Sequence, residues 1–383
     1  MAKRPVFQEV GESAAPRIPP QAGSLIDSAP KGARGAIRAW LMVLFLLVVA
    51  MIALGGATRL TGSGLSITEW RPITGTLPPM DAAAWEAEFE KYRQIPQFQQ
   101  INADMDMAGF QRIYWWEWSH RLLGRAIGLV WALGFLFFYA TRRIPPGWAG
   151  RLLVPGALGG LQGLVGWWMV HSGVATDTLT HVASYRLALH LGLAFAILGV
   201  IAWDALLLSR PEAALLRARR AGEGRLFSIT TGLLHLAFLQ ILLGALVAGI
   251  DAGRQYTGWP TMGGEWIPAA LWDPDLGWRN FFENAAMAQF IHRMTGYLLA
   301  VFAVVVWARS RRSPHPVTRG AFLAMLVMVA VQLGLGILNV IEASPLPLAL
   351  THQFGAVALF VLILRARLYA RYPYETSVRG TLR

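Results

Sequence analysis

The stretch Trp116-Glu117-Trp118-Ser119-His120-Arg121-Leu122-Leu123-Gly124-Arg125-Ala126-Ile127-Gly128-Leu129-Val130-Trp131-Ala132-Leu133-Gly134-Phe135-Leu136-Phe137-Phe138-Tyr139-Ala140 decides how this chain folds. From His120 onward it is apolar for about 20 residues, the length of helix that crosses the hydrocarbon of a bilayer. Its aromatic and ionisable residues crowd one mouth, where a membrane interface would hold them. Seven further stretches of the same kind cover 37–54, 152–171, 186–208, 226–250, 287–308, 321–340 and 348–368. The 383 residues are 55% hydrophobic and only 15% charged, with a mean hydropathy of +0.43. These values fit a bilayer and not a water-soluble domain. The fold class is therefore an all-α polytopic membrane protein with eight transmembrane helices.

A net charge of +12 would suit a nucleic-acid binder, so the positions of the charges decide its meaning. Roughly two-thirds of the 34 Lys and Arg residues fall on one side of the eight spans, and the positive-inside rule makes that side cytoplasmic. Both termini then lie in the cytoplasm, and no nucleic-acid partner is implied. Residues 1–35 are polar and Pro-rich with acidic residues among the basic ones, unlike a signal or transit peptide. They read as a disordered cytoplasmic arm of a bacterial inner-membrane protein. A cytoplasmic linker is expected over 209–225 and a cytoplasmic tail over 369–383. The chain has no cysteine, which removes disulfides and thiolate metal sites and leaves histidine as the strongest metal ligand.

The two halves, 36–208 and 226–368, share words at matching places. His120-Arg121-Leu122-Leu123-Gly124 answers His292-Arg293-Met294-Thr295-Gly296, Leu161-Gln162-Gly163-Leu164-Val165-Gly166 answers Val331-Gln332-Leu333-Gly334-Leu335-Gly336, and Leu187-Ala188-Leu189-His190 answers Ala349-Leu350-Thr351-His352. This pattern indicates a tandem duplication into two pseudo-symmetric four-helix bundles. Four helices per half keep both halves in one orientation, with the symmetry axis along the membrane normal.

Four of the eight histidines recur in this repeat: His120, His190, His292 and His352, each near the outer end of an even-numbered span. A polar ring in a membrane segment is costly and marks a functional hypothesis. One such ring can equally satisfy an interhelical hydrogen bond, whereas four at duplicated positions and common depth favour ligation. Four-helix bundles present paired imidazoles to a planar macrocycle, and no closely spaced histidine pair suited to zinc or copper is present. His120 with His190, and His292 with His352, read as two bis-histidine heme sites on the outer side. His171 and His181 fall in or near an outer loop and His315 in a cytoplasmic loop; His235 is a lone mid-span residue expected to make an interhelical hydrogen bond.

The copies differ in charge at the position three residues before the first repeated histidine of each half. Glu117 stands three residues before His120, about 4.5 Å along a helix axis and on the same face, while Gln289 stands three residues before His292. A carboxylate beside only one heme can activate water or stabilise developing positive charge; it can also simply reach out to interfacial water. Arg121, Arg125 and Arg293 are placed to pair with heme propionates or to anchor the interface. The outer segment 57–114 opens on a glycine-rich run and holds Asp81 to Tyr92, a short capped helix with one aromatic face, which lies on the membrane surface or caps something beneath it.

From about Trp40 to Leu368 the chain resembles the heme A synthase family. The resemblance rests on Gly55-Gly56-Ala57-Thr58-Arg59-Leu60-Thr61-Gly62-Ser63-Gly64-Leu65-Ser66 and on the run from Phe110 to Arg121 that ends Glu117-Trp118-Ser119-His120-Arg121. It continues in Ala248-Gly249-Ile250-Asp251-Ala252-Gly253, Thr257-Gly258-Trp259-Pro260-Thr261-Met262, Asn280-Phe281-Phe282-Glu283-Asn284 and Gln289-Phe290-Ile291-His292-Arg293. It implies oxidation of the C8 methyl of heme O to the formyl of heme A, by way of an alcohol and a gem-diol, for cytochrome oxidase maturation. It implies heme b as cofactor on His292 and His352, substrate heme O near His120 and His190, and Glu117 as the essential carboxylate. Heme O synthase and oxidase assembly factors become the expected partners, and homo-oligomerisation is left open. The chain matches the branch without an outer-loop cysteine pair. A di-heme b electron carrier linked to quinol would keep the four histidines but has no need of the Glu117/Gln289 difference. A repeat-built transporter would place its polar groups at mid-depth instead of at the outer surface.

Overall fold

The computed structural model describes residues 33–175 and 179–374. Among these residues eight helices are long and apolar enough to cross a membrane: α1 (Ala33–Leu60), α2 (Met107–Ala140), α3 (Ala149–Val174), α4 (Ser184–Leu208), α5 (Gly224–Gly249), α6 (Ala285–Ser310), α7 (Pro316–Ile341) and α8 (Leu346–Arg371). The arm expected over 1–35 lies outside the described residues up to position 32, and its last three residues already belong to α1. Of the tail expected from 369, the first three residues extend α8 and 375–383 lie outside the described residues. The 209–225 linker contains a short helix of its own, Glu212–Arg220.

Each half closes on itself. α1 packs on α2, α2 on α3, α3 on α4 and α4 back on α1; α5, α6, α7 and α8 make the same circuit. The circuits meet where α4 packs on α5 and on α8, and where α1 packs on α8. Ile37, Leu41, Leu44, Val48 and Ile52 are buried on α1, spaced by three and four residues so that they form one stripe. α4 is the most enclosed span, whereas Leu129, Leu133 and Leu136 of α2 are 59% exposed and belong to a lipid-facing wall.

Lipid is as apolar as a leucine side chain, so spans associate through close contact and buried hydrogen bonds. Trp40 Nε1 on α1 donates to Val130 O on α2 at 3.0 Å, and Trp131 Nε1 on α2 donates to Leu152 O on α3 at 3.0 Å. Both indoles lie flat against a glycine, Gly134 and Gly156 respectively, where any Cβ would collide with the ring. The halves are joined similarly: Gln353 Nε2 on α8 donates to Ile52 O on α1 at 2.6 Å, over a position where Gly56 leaves room for the carboxamide.

α2 begins well before the span expected from His120. Its first turns, capped by Asp106, whose carboxylate accepts the Gly109 amide at 2.8 Å, rise out of the bilayer because another element covers their apolar face. That element is the helix Ala82–Arg93, capped by Asp81 as its sequence suggests. Phe89 stacks on Phe110 with ring centroids 4.8 Å apart, and Trp85 meets Tyr114 edge-on at 4.9 Å. The outer segment is thus a small domain, with Leu65, Phe89, Tyr92, Phe110 and Val182 in its core.

Substituting Gly134→Leu is expected to destabilise the protein by about 1–3 kcal/mol through overpacking against Trp40, seen as a lower Tm in detergent. Gly128→Leu on the same helix, where a Cβ meets open space, should leave the Tm within error; equal melting of the two variants would refute the packing account.

Candidate heme sites

The four repeated histidines occupy equivalent seats. Each is half-buried on an even-numbered helix and lies against a glycine of the preceding odd-numbered helix. A Cβ built on Gly55 of α1 would stand 3.2 Å from His120 Nε2, and one on Gly166 of α3 would stand 2.9 Å from His190 Cε1. In the second half a Cβ on Gly244 of α5 would stand 3.1 Å from His292 Cε1, and one on Gly336 of α7 would stand 3.3 Å from His352 Cε1. Each half thus carries two such seats, His120 with His190 and His292 with His352, on its two even-numbered helices.

One turn before three of these glycines stands a glutamine whose amide grips the histidine backbone. Gln162 Nε2 donates to His190 O at 3.0 Å, Gln240 Nε2 to His292 O at 2.9 Å and Gln332 Nε2 to His352 O at 3.0 Å. At the matching position of α1 stands Met51, its methyl 3.6 Å from where a Cβ on Gly124 would lie. Gln162 and Gln332 stand out in the sequence only as repeated letters, and Gln240 and Gly244 were not recognised as part of the repeat. The readable signal was the spacing Gln-x-x-x-Gly, present three times.

Above each site, an outer strap is tied to an even-numbered helix. Glu117 is buried, 3% exposed. Its Oε2 accepts from Ser66 Oγ at 2.7 Å and from the Ile67 amide at 2.9 Å, and its Oε1 accepts from Arg121 Nη2 at 2.6 Å. Arg121 also donates to Ile67 O and Glu69 O, at 2.7 and 2.9 Å. One turn further on, Arg125 donates to Arg71 O and Pro72 O at 2.9 and 2.8 Å. In the second half Gln289 donates to Ala252 O and Tyr256 O at 3.2 and 3.1 Å. Arg293 donates to Tyr256 O, Gly258 O and Thr261 O at 3.0, 2.9 and 3.2 Å. The straps are alike in design and unlike in charge. Arg121 has a carboxylate partner, whereas Arg293 is paired only with carbonyl oxygens and the Gln289 amide. Arg125 Nη1 and Arg293 Nε are buried without any partner, which fits them to an anionic group such as a propionate.

The other histidines lie apart from these seats. His171 ends α3 with its ring edge-on to Trp167. His181 lies near the Arg59–Asp251 ion pair, and burial, with the Arg59 charge adding to it, holds its imidazole below the usual range. His235 is exposed on the lipid side of α5 and its Nδ1 donates to Thr231 O at 2.8 Å. That bond lies within one helix, not between helices, because no neighbouring span covers this face. His315 occupies the N-cap position of α7 without a side-chain capping bond.

Among the described residues no three or more His, Asp or Glu side chains converge as a bare metal ion requires. The donors come in imidazole pairs, one pair to a half, and Arg125 Nη1 and Arg293 Nε near them are buried without partners. That donor set suits a planar macrocycle whose metal needs only two axial ligands.

The model of the COX15-CtaA family, described as cytochrome oxidase assembly protein, matches residues 38–364. A heme A synthase of Paracoccus denitrificans (strain Pd 1222) is 76% identical over 383 residues, with 100% of both chains covered. One from Ruegeria sp. (strain TM1040) is 58% identical over 381 residues, covering 99% of this chain and 100% of its own length. One from Dinoroseobacter shibae is 58% identical over 380 residues, with 99% of both chains covered. With its repeated histidine seats and eight spans, the chain belongs to the COX15-CtaA family, among the heme A synthases.

Proposed function

We propose that the chain oxidises a methyl group of heme O to the formyl group of heme A, with heme O in the first half and a resident heme b in the second. The observation that carries the division is the Glu117/Gln289 difference within two otherwise matching straps. His292 and His352 would hold heme b, which supplies an electron relay when bound. His120 and His190 would hold the substrate, within the halves 36–208 and 226–368 proposed from the repeat; the two closed helix circuits support that division.

The chain's own groups then take distinct roles. Arg293, with no carboxylate beside it, keeps a net positive charge at the second site and favours the lasting hold of an anionic propionate. Arg121 is neutralised by Glu117, and Arg125 with its unpaired Nη1 is the cation left to steer the ligand of the first site. Glu117 accepts from Ser66 Oγ, so a proton released above the first site can reach the carboxylate through the serine hydroxyl. The same carboxylate offsets positive charge developing on the oxidised carbon. The straps and the histidine seats lie toward the outer, periplasmic side of an inner membrane. Heme O synthase and oxidase assembly factors are the expected neighbours.

Three outcomes test this reading. Glu117→Gln should lower conversion of heme O to heme A by roughly 10²–10⁴-fold while heme b is retained, as read by extraction and chromatography of the bound pigments; full activity would remove Glu117 from the chemistry. His292→Ala or His352→Ala should strip heme b from the purified protein, and an unchanged heme b content would show that the halves are assigned the wrong way round. A fluorescent protein fused after Arg383 should fluoresce and alkaline phosphatase inserted near Gly264 should be active; the reverse pattern would overturn the orientation.

A further inference from the structure

The three glutamines do more than their backbone bonds require. A carbonyl inside a helix already accepts an amide four residues on, so the bond from each glutamine to its histidine's carbonyl is a second one. It fixes the carboxamide beside the ring. Gln162 Nε2 lies 3.2 Å from His190 Nδ1 and 3.3 Å from its Nε2, and Gln240 Nε2 lies 3.4 Å from His292 Nε2. In all three the carboxamide oxygen is buried with no donor, and in the second half the Nδ1 atoms of His292 and His352 are buried with no acceptor. An unpaired acceptor and an unpaired donor thus stand on adjacent side chains, twice. Leaving such groups unmatched is costly, and here they belong to side chains already joined through the histidine carbonyl.

The fourth seat breaks the pattern. Met51 offers a thioether in place of the carboxamide, so His120 alone lacks both the grip on its backbone and an acceptor for its ring. A ligand ring whose free nitrogen donates to an acceptor is fixed in tautomer and orientation and becomes a stronger donor to iron. A substrate site must release its heme after every turnover, and a resident site must not.

We infer that Gln162, Gln240 and Gln332 are positioning residues that offer their carboxamide oxygens to the N–H of His190, His292 and His352, and that Met51, by denying His120 this partner, makes His120 the exchangeable ligand through which the substrate heme enters and leaves. This rests on the heme-ligand reading above. Two resident ligands and one substrate ligand are held firmly, and one substrate ligand is held loosely.

The test uses the purified full chain with its bound hemes. Gln240→Met and Gln332→Met should keep the low-spin bis-histidine spectrum, raise the heme midpoint potential and speed transfer of that heme to a scavenging apoglobin by roughly 10–100-fold. Gln240→Glu keeps an acceptor and makes it more basic, so it should lower the potential; a merely structural role would move the Met and Glu variants in the same direction. Met51→Gln should slow release of heme from the first half by roughly tenfold or more. Unchanged potentials and release rates in the second-half variants would overturn the positioning role, and unchanged release in Met51→Gln would overturn the exchange role. A wild-type heme spectrum that survives both His292→Ala and His352→Ala would instead overturn the ligand assignment itself, and the inference with it.

Discussion

Helices in a bilayer gain little by hiding apolar surface from one another, because the lipid around them is equally apolar. The rest of this structure depends on how that constraint is met. Spans approach closely where one contributes a glycine and the next a flat ring, and a buried N–H then finds a carbonyl on the neighbour. Trp40 over Gly134 and Trp131 over Gly156 are cases at one end of the bundle. The four histidines over Gly55, Gly166, Gly244 and Gly336 are the cases at the other end. The device that packs the helices is therefore also the device that seats the ligand rings.

Above the seats the same economy appears in polar form. An even-numbered helix carries an acid or amide and, one turn on, an arginine, and the two together hold an irregular outer strap by its backbone. Carbonyl and amide groups of such a strap would be costly to leave unpaired near a membrane, so Arg121 and Arg293 are used on carbonyls first. At the first member of this pair the straps differ in charge, a carboxylate at Glu117 and a neutral amide at Gln289. One site then has a neutral ion pair beside it and the other an unbalanced guanidinium.

Much of this was legible in the sequence, for physical reasons. The spans follow from apolar length, and the histidine pairs follow from duplicated words at common depth. The extra turns of α2 from Met107 were not legible, because Phe110, Ile113 and Tyr114 are buried by a separate helix some twenty residues earlier in the chain. Nor could spacing reveal that Glu117 is bound by Ser66 and Ile67, about fifty residues away. Gln240 was passed over because a glutamine in an apolar span has no single meaning until its partner is seen. His235 illustrates the converse error: a polar residue in mid-span can satisfy itself on its own helix and face the lipid.

The contact from Gln353 to Ile52 has a consequence for biogenesis. It joins the last span to the first, and its neighbour in sequence is His352, the repeated histidine on α8. Docking of α8 therefore delivers the final imidazole of the second half and fastens the first half in the same event. The second half cannot be finished while the ribosome still holds the C-terminal span, so the order of synthesis leaves its histidine pair incomplete until α8 has entered the membrane, whereas the first pair is complete once α4 is in place.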